Sequence, residues 1–158
     1  MGEVRSASPD DLPALCDLLT AFVTELTPLR GASLLLEPGI AAAMELASGD
    51  TLASVLADPD QRVTVVGVAR EPVAFALCRL ATSEAGGSRG VIDACYVGPG
   101  SRGKGVGALL MKDALEWFSA RGCDGVDGTA FPGDRQAKSF FEAAGFKARM
   151  LVMHRPLD

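Results

Sequence analysis

One histidine, one tyrosine and one tryptophan stand in 158 residues, so few imidazole or phenol groups are on hand for catalysis. The histidine, His154, lies beside Arg155 near the end of the chain, where packing accounts for it better than base chemistry. Long apolar runs are also missing. None reaches 18 residues, and no basic stretch followed by an apolar one opens the chain, so neither a membrane span nor a secretion signal is expected. Positive charge is not in excess. The net charge of −5 argues against general nucleic-acid binding while leaving room for a local basic site. The four cysteines, Cys16, Cys78, Cys95 and Cys123, are scattered without metal-ligand spacing and read as reduced thiols of a cytoplasmic protein. No repeat, low-complexity tract or long linker divides the chain. With 48% apolar residues, residues 1–158 read as a single globular domain.

What is present is one glycine-rich stretch in a telling position. Arg102-Gly103-Lys104-Gly105-Val106-Gly107 follows an apolar run, Val91 to Val97, and opens a helical pattern from Val106 to Ala120. A strand, a glycine loop and a helix in that order aim unpaired backbone N–H groups and a helix dipole at one spot. Arg102 and Lys104 add full positive charges, so the ligand expected there carries phosphate.

Three motifs overlap on these residues. Gly98 to Lys104 nearly matches the P-loop G-x-x-x-x-G-K-[ST], but the position that should offer a hydroxyl to Mg²⁺ is Gly105. Gly98 to Gly103 matches G-x-G-x-x-G, the dinucleotide fingerprint. Asp124 and Asp127 lie near the distance of a ribose-binding acid, but too little chain follows to build the remaining strand–helix units. Arg102 to Gly107 matches R-x-x-G-x-G. Downstream stands Asp134-Arg135-Gln136-Ala137-Lys138-Ser139-Phe140-Phe141-Glu142-Ala143-Ala144-Gly145-Phe146. With these two motifs in this order, the chain resembles the GNAT superfamily of acyl-CoA-dependent N-acyltransferases. That family shows R-x-x-G-x-G followed by N-x-x-A-x-x-F-Y-E-x-x-G-F. The start, Val4 to Leu12, is similar to the family's first strand and helix, and the resemblance is weakest between Thr27 and Asp60.

The pattern along the chain predicts an α+β order, β-α-α-β-β-β-α-β-α-β. Glu3 to Ala7 reads as a strand, and a helix capped by Ser8 or Asp10 runs to about Leu26. Ile40 to Ala47 is a candidate helix in an ambiguous segment, and Thr51 to Ala57 adds one or two helical turns. Arg62 to Ala69 and Val73 to Ala81 form a hairpin. Val91 to Val97 leads into the loop, and the helix Val106 to Ala120 follows. Gly125 to Ala130 is a glycine-broken strand, Ala137 to Ala144 a helix, and Ala148 to Arg155 a last strand. The resemblance implies a central mixed, mostly antiparallel sheet flanked by helices, with two strands splayed at a cofactor cleft.

It also implies the chemistry. Acetyl-CoA, or another short acyl-CoA, would serve as co-substrate, no metal would be needed, and the acceptor would be a primary amine of a small molecule or peptide. Cys95, Tyr96 and Val97 would meet the pantetheine arm through their backbone. Arg102, Gly103, Lys104, Gly105, Val106 and Gly107 would bind the pyrophosphate, with Asp134, Ala137 and Phe141 on the cofactor side. Asp93, a carboxylate in an otherwise apolar strand, is the candidate base. In a regular strand it would point away from Tyr96, the alternative acid; a bulge would change that parity. The family's usual acid is the tyrosine of F-Y-E, and here Phe141 has no hydroxyl; its usual asparagine is Asp134. Arg30, Glu25 and Glu37 are charged residues near the substrate-covering segment, and nothing in the sequence selects among them. Two rivals are kept: a non-catalytic acyl-CoA-binding or sensor protein on the same fold, and an oxidoreductase using the G-x-G-x-x-G match. A homodimer through an edge strand near Leu151 to His154 is a further expectation.

Overall fold

Valine-rich and alanine-rich runs with no charge in their centres need cover on both faces, and the middle of the chain supplies two of them beside a third apolar run that carries Asp93. The computed structural model, which describes residues 2–32 and 50–157, places them side by side. Strand β1 (Glu3–Ser6) pairs antiparallel with β2 (Gln61–Val68), β2 with β3 (Glu71–Thr82), and β3 with β4 (Ser88–Val97). The fifth strand, β5 (Val126–Gly128), lies parallel to β4, giving a sheet in the order β1-β2-β3-β4-β5. Helices α1 (Leu12–Leu26) and α2 (Asp50–Ala57) cover one face. Helix α3 (Val106–Ala120) covers the other, with α4 (Arg135–Ala143) near the β5 edge. The expected α+β fold with a mixed, mostly antiparallel sheet is the observed one.

Side-chain alternation explains the layers. Val63, Val65, Phe75 and Leu77 pack with Leu15 and Leu19 of α1 and Leu52 of α2. Val66, Ala74, Ala76 and Cys78 pack on the opposite face with Leu110, Met111, Ala114 and Phe118 of α3. The one polar residue inside this stretch is Thr64, which is fully buried and donates from Oγ1 to Asp113 of α3 at 2.5 Å. Arg62 grips the same carboxylate with Nε and Nη2 at 2.9 and 2.8 Å. A buried hydroxyl and a charge pair thus satisfy each other and fix α3 against β2. Gly90 stands where any Cβ would overlap the buried Phe118 ring, so this position in β4 has no room for a side chain.

The start of α1 differs in detail from expectation. Ser8 caps as expected, but what it opens is a short 3-10 turn, Pro9–Asp11, ahead of the helix, and Asp11, not Asp10, completes the capping box. Its carboxylate accepts from the Ser8 N–H at 2.8 Å and from both Nη groups of Arg5 at 2.6 and 2.7 Å. Other elements match the sequence within a few residues, though β5 is shorter than the expected Gly125 to Ala130. Ile40 to Ala47 and Glu37 lie outside the described residues. The expected last strand, Ala148 to Arg155, is not formed. That stretch carries the apolar composition of a strand, but among the described residues no strand edge pairs with it, and without a ladder its composition cannot make it one. Met150, Leu151, Val152 and Met153 are exposed. No helix among the described residues is long and apolar enough to cross a membrane.

The Arg5 fork and the bonds from Ser8 outweigh burial and hold the Asp11 carboxyl down at about 2, from an ordinary 3.8. Because the folded value is the lower one, the stabilisation is complete above pH 4 and is lost as the pH falls toward 2. Asp11→Asn is expected to destabilise the protein by about 2 kcal/mol at neutral pH and to flatten the loss of stability between pH 4 and 2. Urea titrations of both proteins across that range check this.

Candidate functional site

Strand β4 is paired on both sides only over its first half. Gly90, Val91 and Ile92 match Val126, Asp127 and Gly128 of β5; among the described residues, no strand pairs with residues 94–97 on that side. The two strands therefore part, and a cleft of about 760 Å³ opens beside the second half of β4. Its walls come from β4, the glycine loop, the start of α3, the end of α1, residues 129–137 and the rings of Phe140 and Phe141.

The glycine loop closes one end. Gly103 and Gly105 have φ of 71° and 77°, in the left-handed region where a Cβ is strained. Those two reversals turn the chain from β4 into α3. Among the described residues, no carbonyl accepts from the N–H groups of residues 103–108. A row of free donors at a helix N-terminus is a cradle for a phosphate group. Lys104 Nζ bonds to the Gly100 carbonyl at 2.9 Å and remains exposed. Arg102 is more engaged: Nε donates to the Val97 carbonyl at 2.9 Å and Nη2 to Glu25 of α1 at 2.7 Å.

At Asp93 the strand carries a bulge. Leu77 faces Ala94 and the next residue, Cys78, faces Ile92, so Asp93 has no partner on β3. The extra residue reverses the parity of β4. Ile92 packs on the α3 side, whereas Ala94 and Tyr96 pack on the α1 side. Asp93 and Tyr96 both line the cleft, as do their neighbours from both faces of the strand. The Asp93 carboxylate accepts from Arg79 Nε at 2.8 Å. Loss of solvent against the strand surface pushes its pKa above the ordinary value, and the Arg79 guanidinium opposes this without cancelling it.

Tyr96 is almost fully buried, its ring set against Phe22 and Phe75. Its hydroxyl donates to Glu25 Oε1 at 2.7 Å. Burial and the Glu25 carboxylate push the phenol up to about 12. Burial alone would raise Glu25, but the bonds from Tyr96 and Arg102 outweigh it and keep the carboxyl below its usual range. Tyr96 is therefore neutral and Glu25 ionised at neutral pH.

The remaining sequence candidates divide. Cys95, Val97, Gly107, Ala137 and Phe141 line the cleft. Cys95 keeps a protonated thiol, which burial pushes up to about 12. Asp134 lines it too, but its carboxylate caps α4, accepting from the Ala137 N–H at 3.0 Å. The Phe141 ring lies over Gly128, at a distance a Cβ there would not permit. His154 is exposed in the unpaired end segment, and Trp117 stacks near Arg121 and Phe118 away from the cleft. Of the charged residues the sequence left unranked, Arg30 and Glu25 are described, and Glu25 lines the cleft, 71 positions from its partner Tyr96. Phe22, Leu26, Leu29 and Phe131 also line it and carried no sequence signal, because only the packing of α1 over β4 gathers them. Among the described residues, no three metal-ligating side chains cluster.

The family model for the acetyltransferase (GNAT) family matches residues 32–146, well over half of the chain and including the loop and the cleft strands. The chain belongs to the GNAT acetyltransferase family. Among solved structures, it is similar to an acetyltransferase of Trypanosoma brucei at 24% identity, covering 99% of this chain and 100% of that one with a TM-score of 0.70. It is also similar to a protein described as a transcriptional regulator from Bacillus halodurans C-125, at 21% identity over 98% and 100% of the two chains, TM-score 0.73. A third is AAC(6')-Iy, solved with a bisubstrate analogue, at 16% identity over 100% and 99%, TM-score 0.73. At these identities the structures share the fold of the present GNAT chain. No curated protein matches it significantly.

The loop geometry gives a stability test. Gly105→Ala meets open space, so its cost is the left-handed backbone alone, about 1 kcal/mol. Gly100→Ala, equally open and without a positive φ, is expected to cost less than half of that. Thermal denaturation of the two variants beside the parent separates them.

Proposed function

We propose that this GNAT-family protein transfers an acetyl group, or another short acyl group, from acetyl-CoA to a primary amine by direct attack. The observation that carries the reading is the row of free N–H donors in residues 103–108 opening onto a cleft beside unpaired strand backbone, with a carboxylate on its wall. The pyrophosphate of the cofactor would sit in that row beside Arg102, and its pantetheine arm would run along residues 95–97 of β4.

The chemistry asks little more of the protein. The amine nitrogen attacks the thioester carbon, the new C–N bond forms and the C–S bond breaks, and the thiolate leaves. The proton lost by nitrogen goes to Asp93, directly or through one water, and the thiolate takes a proton from solvent, since Phe141 offers none. A carboxylate whose pKa is raised by its surroundings suits a base working near neutral pH. Arg79 holds it in place without removing its exposure, which remains 43% for the side chain.

Acetyl-CoA is expected to raise the apparent melting temperature, and NADH and ATP are not. Arg102→Glu, which places a negative charge at the cradle, is expected to abolish most of that shift. An unchanged shift would remove Arg102 from the cofactor site. For the base, thiol release on a panel of primary amines is expected to rise with pH through a value above that of an ordinary carboxylate. Asp93→Asn should lower the rate by about 10²–10⁴-fold and erase that acid limb. Tight cofactor binding with no thiol release on any amine would leave a cofactor-binding protein rather than an enzyme.

A further inference from the structure

The open edge of β4 offers backbone groups to the cleft, and one of them is already taken. Residues of an antiparallel strand turn their N–H and C=O groups to alternate sides. The Gly98 N–H donates to the Val73 carbonyl at 2.9 Å, so Gly98 faces β3 and Val97, just before it, faces the open edge. Cys95, two residues back in the same register, faces that way too. The Val97 carbonyl accepts from Arg102 Nε at 2.9 Å, a side chain that reaches back from the glycine loop. Arg102 is fastened in this position from a second side. Its Nη2 donates to Glu25 of α1 at 2.7 Å, and its guanidinium lies 5.5 Å from the centre of the Tyr96 ring, within reach of the phenol oxygen. Tyr96 in turn donates to Glu25 at 2.7 Å.

Val97 and Arg102 both line the cleft, so a guanidinium seated on that carbonyl lies along the path the pantetheine arm would take. The same guanidinium borders the free N–H row of residues 103–108. Its pair with Glu25 is open to water, at 35% and 43% of the two side chains, and a pair so exposed is weakly held. A pyrophosphate carries more charge than one carboxylate and matches the planar guanidinium with paired oxygens. We propose that Arg102 is a latch on the cofactor cleft: on the Val97 carbonyl it shuts the strand edge, Glu25 and Tyr96 hold it there, and a pyrophosphate in the glycine loop draws it away and opens the edge to the pantetheine arm. This rests on the acyl-CoA reading above. The phosphate half of the cofactor thereby prepares the site for the other half. Glu25 is the positioning residue that sets how firmly the edge is closed.

Pantetheine, which carries no charge, tests the strand edge apart from the phosphates. Its dissociation constant is read from the amide resonances of residues 95–97. Arg102→Ala is expected to bind pantetheine about three- to tenfold more tightly than the unmodified protein while binding CoA more weakly. Glu25→Gln loosens the latch without removing it and is expected to tighten pantetheine about two- to fivefold. Because the ligand is neutral, relief of charge repulsion does not produce that gain. Inorganic pyrophosphate at fixed ionic strength is expected to tighten pantetheine in the unmodified protein and to have no such effect in Arg102→Ala. Equal or weaker pantetheine binding in either folded variant, or no effect of pyrophosphate on the unmodified protein, overturns the latch. If Arg102→Ala loses its cooperative melt, Glu25→Gln and the pyrophosphate arm decide. The two readings fail separately. CoA that leaves the melting temperature of the unmodified protein unmoved defeats the acyl-CoA reading, whereas a CoA shift with pantetheine no tighter in the variants defeats only the latch.

Discussion

Half of one strand edge is left open, and the cleft exists because of it. Strand β4 gives its first three matched residues, 90–92, to β5 and then parts from it, while β3 holds it along nearly its whole length on the other side. A strand needs a partner for its backbone groups, so an open edge in the interior of a sheet is either filled by ligand or exposed to water. Here the loop of residues 103–108 ends the gap with free donors of its own. Pairing on one side and an open edge on the other make the strand at once a scaffold and a wall of the cleft.

The bulge at Asp93 follows from the same division of labour. It lets the first half of β4 bury Ile92 under α3 and the second half bury Tyr96 under α1. The extra residue, left without a cross-strand partner, is the carboxylate. In a regular strand the charge would point to the opposite side from Tyr96. One inserted residue therefore lets Ile92 and Tyr96 pack under different helices, while residues from both faces of the strand line the cleft.

Electrostatics in the cleft are arranged as pairs rather than as isolated charges. Asp93 has Arg79, and Glu25 has Arg102 and the Tyr96 proton. The two carboxylates differ in consequence: lost solvation leaves Asp93 raised, while bonds from two donors leave Glu25 lowered. Two acids with opposite shifts in one cavity can take different roles, one exchanging a proton and one staying charged.

Much of this was legible in the residues. The order of elements up to α4, the loop from Arg102 to Gly107 and the departure at Phe141 follow from local patterns: period-two and period-3.6 burial, and glycines where the chain must turn left-handed. Local patterns also misled. Ala148 to Arg155 has the composition of a strand but lacks a partner edge among the described residues, and a strand is a pairing rather than a composition. The bulge could not be read either, because it is a mismatch of register between two strands and neither strand alone encodes it. Glu25 was one acid among several until α1 packed over β4. The sequence by itself determined the secondary elements up to α4, the family and the glycine loop, since each depends on neighbours in the chain. Only the tertiary structure decided which carboxylates share the cleft and which way the Tyr96 proton points, since those depend on contacts between residues 71 and 77 positions apart.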